Sequence, residues 1–367
     1  PGGDDLASAP APSSTTPTEI TTTIAPIPTT AAVVDETDPQ NDSQTPQESD
    51  EPIALDPVPE LTGHRALIAV SGPSQSIWHV DLGTGDATKI ETPVHVNRVG
   101  EDEIHFLEDN RFILSTGPRT RFTLFQIDDD YSGGVEQLFS FGSVGLGAGE
   151  RGLDRENHGL WTATRFGLTR WDYEGDQIQM RWNDPDRVFD LTPQVRGSSA
   201  VGLLLEAPTG GDFWVGEDGS VTRLPDGRIE MVVGPWVLLS QCDDSLNCEG
   251  AKLINLLTGT EVDLGNWRKF SYGCALGDDS RFAAVGTDLN ARLSLVTYDG
   301  ASAEVTHTDI ASGALGCVEL TQPTPDTYLM AFEKGVAVFT SDGTWLGSAN
   351  TRPLGGDVAA VQPVETP

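Results

Sequence analysis

Seven copies of a turn-centred hairpin, an apolar strand left without a partner at the C-terminus, and no convincing amphipathic helix predict an all-β chain closed into a ring. The turn glycines are Gly85, Gly134, Gly175, Gly219, Gly259, Gly300 and Gly343, at spacings of 49, 41, 44, 40, 41 and 43 residues. That is the period of a four-stranded propeller blade. The expected fold is therefore a seven-bladed β-propeller, with six or eight blades as the alternative counts.

The first 60 of the 367 residues are made of different material from the rest. They hold 11 of the 24 prolines, 12 Asp or Glu, no Lys or Arg and no aromatic residue. Runs such as "APSSTTPTEITTTIAPIPTT" carry too little apolar surface to offset the entropy of ordering. Residues 1–60 are expected to form a disordered Thr/Pro/Asp-rich stalk, spanning roughly 40 Å as a coil and up to about 180 Å if drawn out. The chain opens at Pro1 rather than at a methionine. An acidic, aromatic-free stalk ahead of a folded domain is typical of the segment just after a cleaved secretory or lipoprotein signal. An exported bacterial protein, secreted or held at the cell surface by a lipid anchor, is expected.

Residues 61–367 carry the repeat. "INLLTGTEVDL" (254–264) and "HVDLGTGDATKI" (79–90) each read as a strand, a two-residue turn and a second strand. The pattern returns in "TLFQIDDDYSGGVEQLF", "GLTRWDYEGDQIQMRW", "DFWVGEDGSVTRL", "RLSLVTYDGASAEVTHT" and "VAVFTSDGTWLGSA". Two further strands precede the hairpin in each period, as in "SYGCALG" with "FAAVGTD" and "ALGCVELTQ" with "YLMAFEK". With strands A to D named from the axis outward, the hairpin is C to D. The first period has "ALIAV" as strand B but nothing for strand A. The alternating "DVAAVQPV" (357–364) is expected to supply it, joining the chain ends and removing a sheet edge. Trp161, Trp171, Trp182 and Trp214 fall on these strands and are expected to pack between blades.

On these features the chain from about 62 to 364 resembles bacterial β-propellers of the broad WD-repeat-like and quinoprotein-like type. "ALGDDSRFAAVG" (275–286) is similar to their strand-turn-strand signature, and "HGLWTATRFGLTRWD" (158–172) is similar to a motif of sensor-associated propellers. "TSDGTW" (340–345) resembles an incomplete Asp box of sialidases, where such boxes are structural turns. The resemblance implies a fold and names no function.

Four cysteines fall in the last three periods. Cys242 and Cys248 flank the B–C loop of the fifth, where they would face each other across a hairpin. Cys274 and Cys317 hold matching places in strand A of the sixth and seventh, at similar height around the axis. Two disulfides are expected, and with them an oxidising compartment. Zinc is the rival, but the short C-x2-C knuckles or nearby His partners it usually uses are missing.

In propellers the B–C and D–A loops ring the mouth of the channel that usually takes the ligand. This places Arg119 and Arg121 ("TGPRTRF"), Arg165 ("TRFG"), Asp184, Asp186 and Arg187 ("NDPDRV"), and Trp267, Arg268 and Lys269 ("NWRKF") at that mouth. Cations gathered there would hold a uronate, phosphate or carboxylate, and Trp267 would stack on a sugar ring. The alternative is that the arginines pair with surface carboxylates. Asp154, Glu156 and His158 ("DRENHG") have the residue types for acid–base work or a metal, but they fall in an A–B turn at the other end and are expected to be an exposed polar turn. Asp128–Asp130 offer three acids without the regular spacing of a calcium loop.

The net charge of −34 repels nucleic acid and anionic lipid. Catalytic signatures of the G-x-S-x-G, H-E-x-x-H and phosphate-loop kinds do not occur. The reading is a monomeric, cofactor-free, non-catalytic propeller that recognises an anionic glycan or an envelope protein. The alternative is a glycan-active hydrolase or lyase with two carboxylates converging at the mouth, one with a raised pKa.

Overall fold

The computed structural model describes residues 53–71, 76–92, 103–107, 109–116, 121–131, 134–141, 153–154, 159–164, 167–172, 177–181, 193–199, 202–207, 210–216, 218–225, 227–242, 248–264, 273–278, 280–287, 292–312 and 316–364. Within them the strands form four-stranded antiparallel sheets, seven in all, and no α-helix is described. Each sheet from the second to the seventh takes four consecutive strands. Their A strands begin at Glu103, Leu153, Gln194, Arg228, Cys274 and Cys317.

The first sheet closes the ring. Its strands Arg65–Ser71, Ser76–Asp81 and Ala87–Ile90 are completed by the C-terminal strand Asp357–Val364. That strand runs antiparallel to Arg65–Ser71, with Ile68 opposite Val361 and Ala69 opposite Ala360. It is tied on both sides. The Glu319 carboxylate accepts a hydrogen bond from the Val361 backbone N–H at 2.7 Å, and Gln362 Nε2 donates to the Leu107 carbonyl at 2.5 Å. The expected C-terminal closure is thus present, clamped to the seventh sheet by one side chain and to the second by another.

The core is a set of wedges between sheets rather than one central mass. Leu67, Ile77 and Ala360 meet Phe112 and Phe125 between the first and second sheets. Leu124 and Leu160 join the second to the third, and Trp161 meets Leu203 and Val215 between the third and fourth. Trp214 packs with Val237 and Ile254, Trp236 with Phe282 and Val296, and Ala283 with Met330 and Phe339. Ile68 and Val80 finally meet Ala331 and Val338, so the last sheet packs on the first. Alternation along each strand buries both faces, which is why apolar residues run almost unbroken in "ALIAV" and "GVAVF". Trp161, Trp171 and Trp214 lie in these wedges as expected, whereas Trp182 is outside the described residues.

The hairpin turns are longer than their spelling suggests. Between Asp81 and Asp86, and between Asn255 and Thr260, four residues intervene rather than two. The Asp81 carboxylate accepts from the backbone N–H groups of Gly83 and Thr84, and Asn255 Oδ1 accepts from those of Leu257 and Thr258. The short acceptor side chain replaces a ladder bond, and the chain then returns through a glycine with positive φ, 81° at Gly85 and 69° at Gly259. The "TSDGTW" turn is tighter, with three residues between Thr340 and Thr344, and the Asp342 carboxylate inside it accepts from the Thr344 N–H at 3.1 Å. Hydrogen bonds from Thr340 and Thr344 hold Asp342 below the usual carboxylate range.

Residues 53–60, which composition places in the stalk, pack on the propeller. Leu55 and Leu61 are buried, the Leu55 N–H donates to the Gly85 carbonyl at 2.8 Å, and Ala54 bridges Asp86. Val58 and Leu61 rest on Gly347 of the seventh sheet, where any side chain would collide with them. Leu55 and Leu61 join the apolar cluster between the first and seventh sheets, with Ile53 and Val58 packed against it.

Candidate functional site

Strand direction sorts the loops. Each A strand starts, and each B strand ends, at the end of the ring that carries the B–C and D–A connections. The A strands are irregular near this end. Register shifts fall between Val195 and Gly197, between Ile229 and Met231, and between Cys317 and Glu319, and a further shift lies opposite Ala359. The extra residues are Arg196, Glu230, Val318 and Ala359. A bulge re-aims its side chain and bends the strand, and bulges gather at rims of closed sheets. Val318, 41% exposed, owes its exposure to this position.

Of the residues expected at the mouth, Arg119, Arg165, Asp184, Asp186, Arg187, Trp267, Arg268 and Lys269 lie outside the described residues. Arg121 opens strand C of the second sheet, opposite Thr116, so its backbone stands at the B–C end as expected; its side chain is not described. Asp154 pairs with Gly159 at the A–B end, away from the mouth, while Glu156 and His158 are outside the described residues. Among the described residues no group of three His, Cys, Asp or Glu side chains is set to hold a metal ion.

The cations described at this end are mostly paired. Arg196 meets Glu206, Arg228 meets Glu230 at 3.4 Å, Arg292 meets Asp309 at 3.4 Å, and Lys334 meets both Glu333 and Asp357. Pairs this exposed contribute little stability, about 0 to 1 kcal/mol each. They neutralise the rim locally. Beside the first pair, Asp212 stands directly opposite Glu206 in the register. Burial pushes the Asp212 carboxyl above its ordinary range, and Glu206 adds to the shift while Arg196 opposes it.

One cleft opens at this end of the seventh sheet. It has a volume of about 270 Å³ and is lined by Phe332, Lys334, Ser348, Ala349, Asn350 and Arg352. Phe332 ends strand B and Lys334 lies in the B–C turn. Ser348, Ala349 and Asn350 end strand D, and Arg352 starts the short 3-10 turn Arg352–Leu354 of the D–A connection. The Phe332 ring lies against Gly335, close enough that a Cβ there would sit 2.7 Å from it. Asn350 Oδ1 accepts from the Arg352 backbone N–H at 3.2 Å. Among the described residues no carboxylate pairs with the Arg352 guanidinium. Sequence reasoning passed over these residues because it sought clusters of cations, and "FEKG" and "ANTRP" hold scattered ones. The blade period already assigns both to the B–C and D–A loops.

Near the same end, Cys274 and Cys317 form a disulfide between the A strands of the sixth and seventh sheets, with a Cα–Cα distance of 5.5 Å. The closed segment spans 43 residues. Such a link contributes about 2 to 4 kcal/mol, mainly by restricting the unfolded chain. Cys242 stands opposite Cys248 in the ladder of the fifth sheet, the register that a bridge requires, but their side chains lie outside the described part.

No protein-family model matches the chain, and no curated protein matches it. Solved structures do. The periplasmic gluconolactonase PpgL of Pseudomonas aeruginosa is similar at a TM-score of 0.51 and 13% identity, over 83% of this chain and 99% of that one. The likeness is one of fold. A protein from Lactobacillus plantarum (TM-score 0.49, 11% identity, 82% and 99% covered) and apo AztD from Citrobacter koseri (0.47, 11%, 82% and 98%) are more distant. The chain has a β-propeller fold.

Proposed function

We propose that this chain is an extracytoplasmic, non-catalytic recognition propeller that takes an anionic glycan or an envelope protein on its B–C and D–A face. The observation that carries the reading is where the N-terminal lead attaches. Ala54 and Leu55 are pinned to the C–D turn of the first sheet, at the opposite end. A protein held through its N-terminus thus leaves the B–C and D–A face free, and that face carries the bulged rim and the cleft. The Cys274–Cys317 bridge supports an oxidising compartment. Among the described residues no helix is long and apolar enough to cross a membrane.

A second reading, a glycan-active hydrolase or lyase, is favoured by Asp212, an acid raised by burial beside a second carboxylate on the same face. Both readings meet one experiment. The full chain, immobilised through its N-terminus, is exposed to uronate-containing and neutral glycans and to solubilised bacterial envelope proteins. Binding that falls at least tenfold in Arg228→Glu and persists in Arg281→Glu, at the far end, is expected. No binder among these, or loss in Arg281→Glu alone, would overturn the proposal. Release of new reducing ends, abolished in Asp212→Asn, would establish the second reading in its place.

A further inference from the structure

We infer that the cleft of the seventh sheet is a subsite for a single carboxylated sugar, a uronate residue. The inference rests on the recognition reading and gives its ligand a chemistry. Three properties of the cleft select this class.

The first is charge. In a chain of net charge −34, a guanidinium that meets no carboxylate among the described residues is an open anion position. Arg352 is that group, whereas Lys334 is already shared between Glu333 and Asp357. Arg352 presents a planar fork of donors that matches a carboxylate, or a phosphate, in two parallel hydrogen bonds. The neighbouring Glu333 and Asp357 disfavour dianions, so a monocarboxylate fits better than a phosphate monoester.

The second is the mixture of surfaces. Ser348 and Asn350 supply hydroxyl and amide groups of both hydrogen-bonding senses, while Phe332 and Ala349 supply an apolar wall. A pyranose has the same two aspects, a rim of hydroxyls around C–H faces. Phe332 packs against the apolar cluster between the sixth and seventh sheets, so the wall is preformed.

The third is size. A volume of about 270 Å³ lies just below the usual range for small-molecule sites and admits one sugar ring rather than an oligomer. The cleft is shallow and broadly open to solvent, so a free uronate and the terminal residue of a polymer present the same chemistry to it.

Calorimetric titration of the full chain with D-glucuronate, D-galacturonate, glucose, galactose, inorganic phosphate and oligogalacturonate tests the inference. At least one uronate is expected to bind in the millimolar range or tighter, with the matching neutral sugar and phosphate at least tenfold weaker. Arg352→Gln is expected to remove that preference without lowering the unfolding midpoint, because Arg352 is exposed and both of its described hydrogen bonds are made by its backbone. Ser348→Ala is expected to weaken uronate and neutral sugar alike. Oligogalacturonate binding as tightly as the monomer would assign the subsite to chain ends, and monomer binding alone would assign it to free sugar acids. Uronate and neutral sugar binding equally, phosphate binding best, no uronate binding, or a preference that survives Arg352→Gln would each overturn the inference. If envelope binding still falls in Arg228→Glu while uronates fail, the recognition reading stands and only the subsite is lost.

Discussion

A chain ending at Gly356 is expected to lose cooperative folding altogether. Deleting Asp357–Val364 removes strand A of the first sheet, and with it the buried side chains of Val358, Ala360 and Val361. The ladder to Arg65–Ser71 goes too, along with the partners of the Glu319 carboxylate and the Leu107 carbonyl. Strand Arg65–Ser71 becomes a bare apolar edge, five of whose seven residues are buried in the intact ring. An unpaired edge of that kind templates association between chains. A closed ring also has nowhere to relax, since the seam between the first and seventh sheets would open beside it. The check is a thermal melt followed by circular dichroism and light scattering, compared with the full chain. Soluble truncated protein that melts in one sharp transition within a few degrees of the full chain would contradict the closure described here.

The second large effect is expected at Trp236. Its indole is 2% exposed between the fifth and sixth sheets, set edge-on to Tyr298 at 5.3 Å and tilted against Phe282 at 6.4 Å. Its Nε1–H donates to the Asp278 carbonyl at 2.7 Å across the seam. Trp236→Ala leaves a large void and an unpaired carbonyl, for a cost of about 3 to 5 kcal/mol. Leu257→Ala, at a position 47% exposed in a turn, is expected to change stability by no more than about 0.5 kcal/mol. Urea unfolding of both variants provides the comparison. Equal midpoints for the two would mean that the wedges between sheets do not carry the stability.

The sequence was readable where the repeat itself does the work. The glycine spacing located the hairpins, and the missing first strand pointed to residues 357–364 as its replacement. Cys274 and Cys317 were matched because equivalent places in adjacent repeats become neighbours on the inner strands. Three tryptophans were placed in the wedges by the same logic. Turn length was misread because Asp81 and Asn255, which end their strands, also cap the turn with their side chains and lengthen it. Residues 53–60 were assigned to the stalk by composition, which has no means of knowing that Gly347 leaves room for Val58 and Leu61. The cleft was illegible for a related reason. Phe332, Asn350 and Arg352 come from a strand end, another strand end and a loop, and it is the ladder of the seventh sheet, with Gly335 opposite both Phe332 and Asn350, that gathers them.

Recognition is proposed to belong to the B–C and D–A face, and hydrogen exchange of the full chain, with and without a binder from the envelope panel, reads that face out segment by segment. Slowed exchange is expected at 206–212, 332–335 and 350–357, with 81–86, 255–260 and 340–344 unchanged. Protection confined to the second group would place the binding surface at the end where the N-terminal lead attaches, and would contradict the proposed assignment.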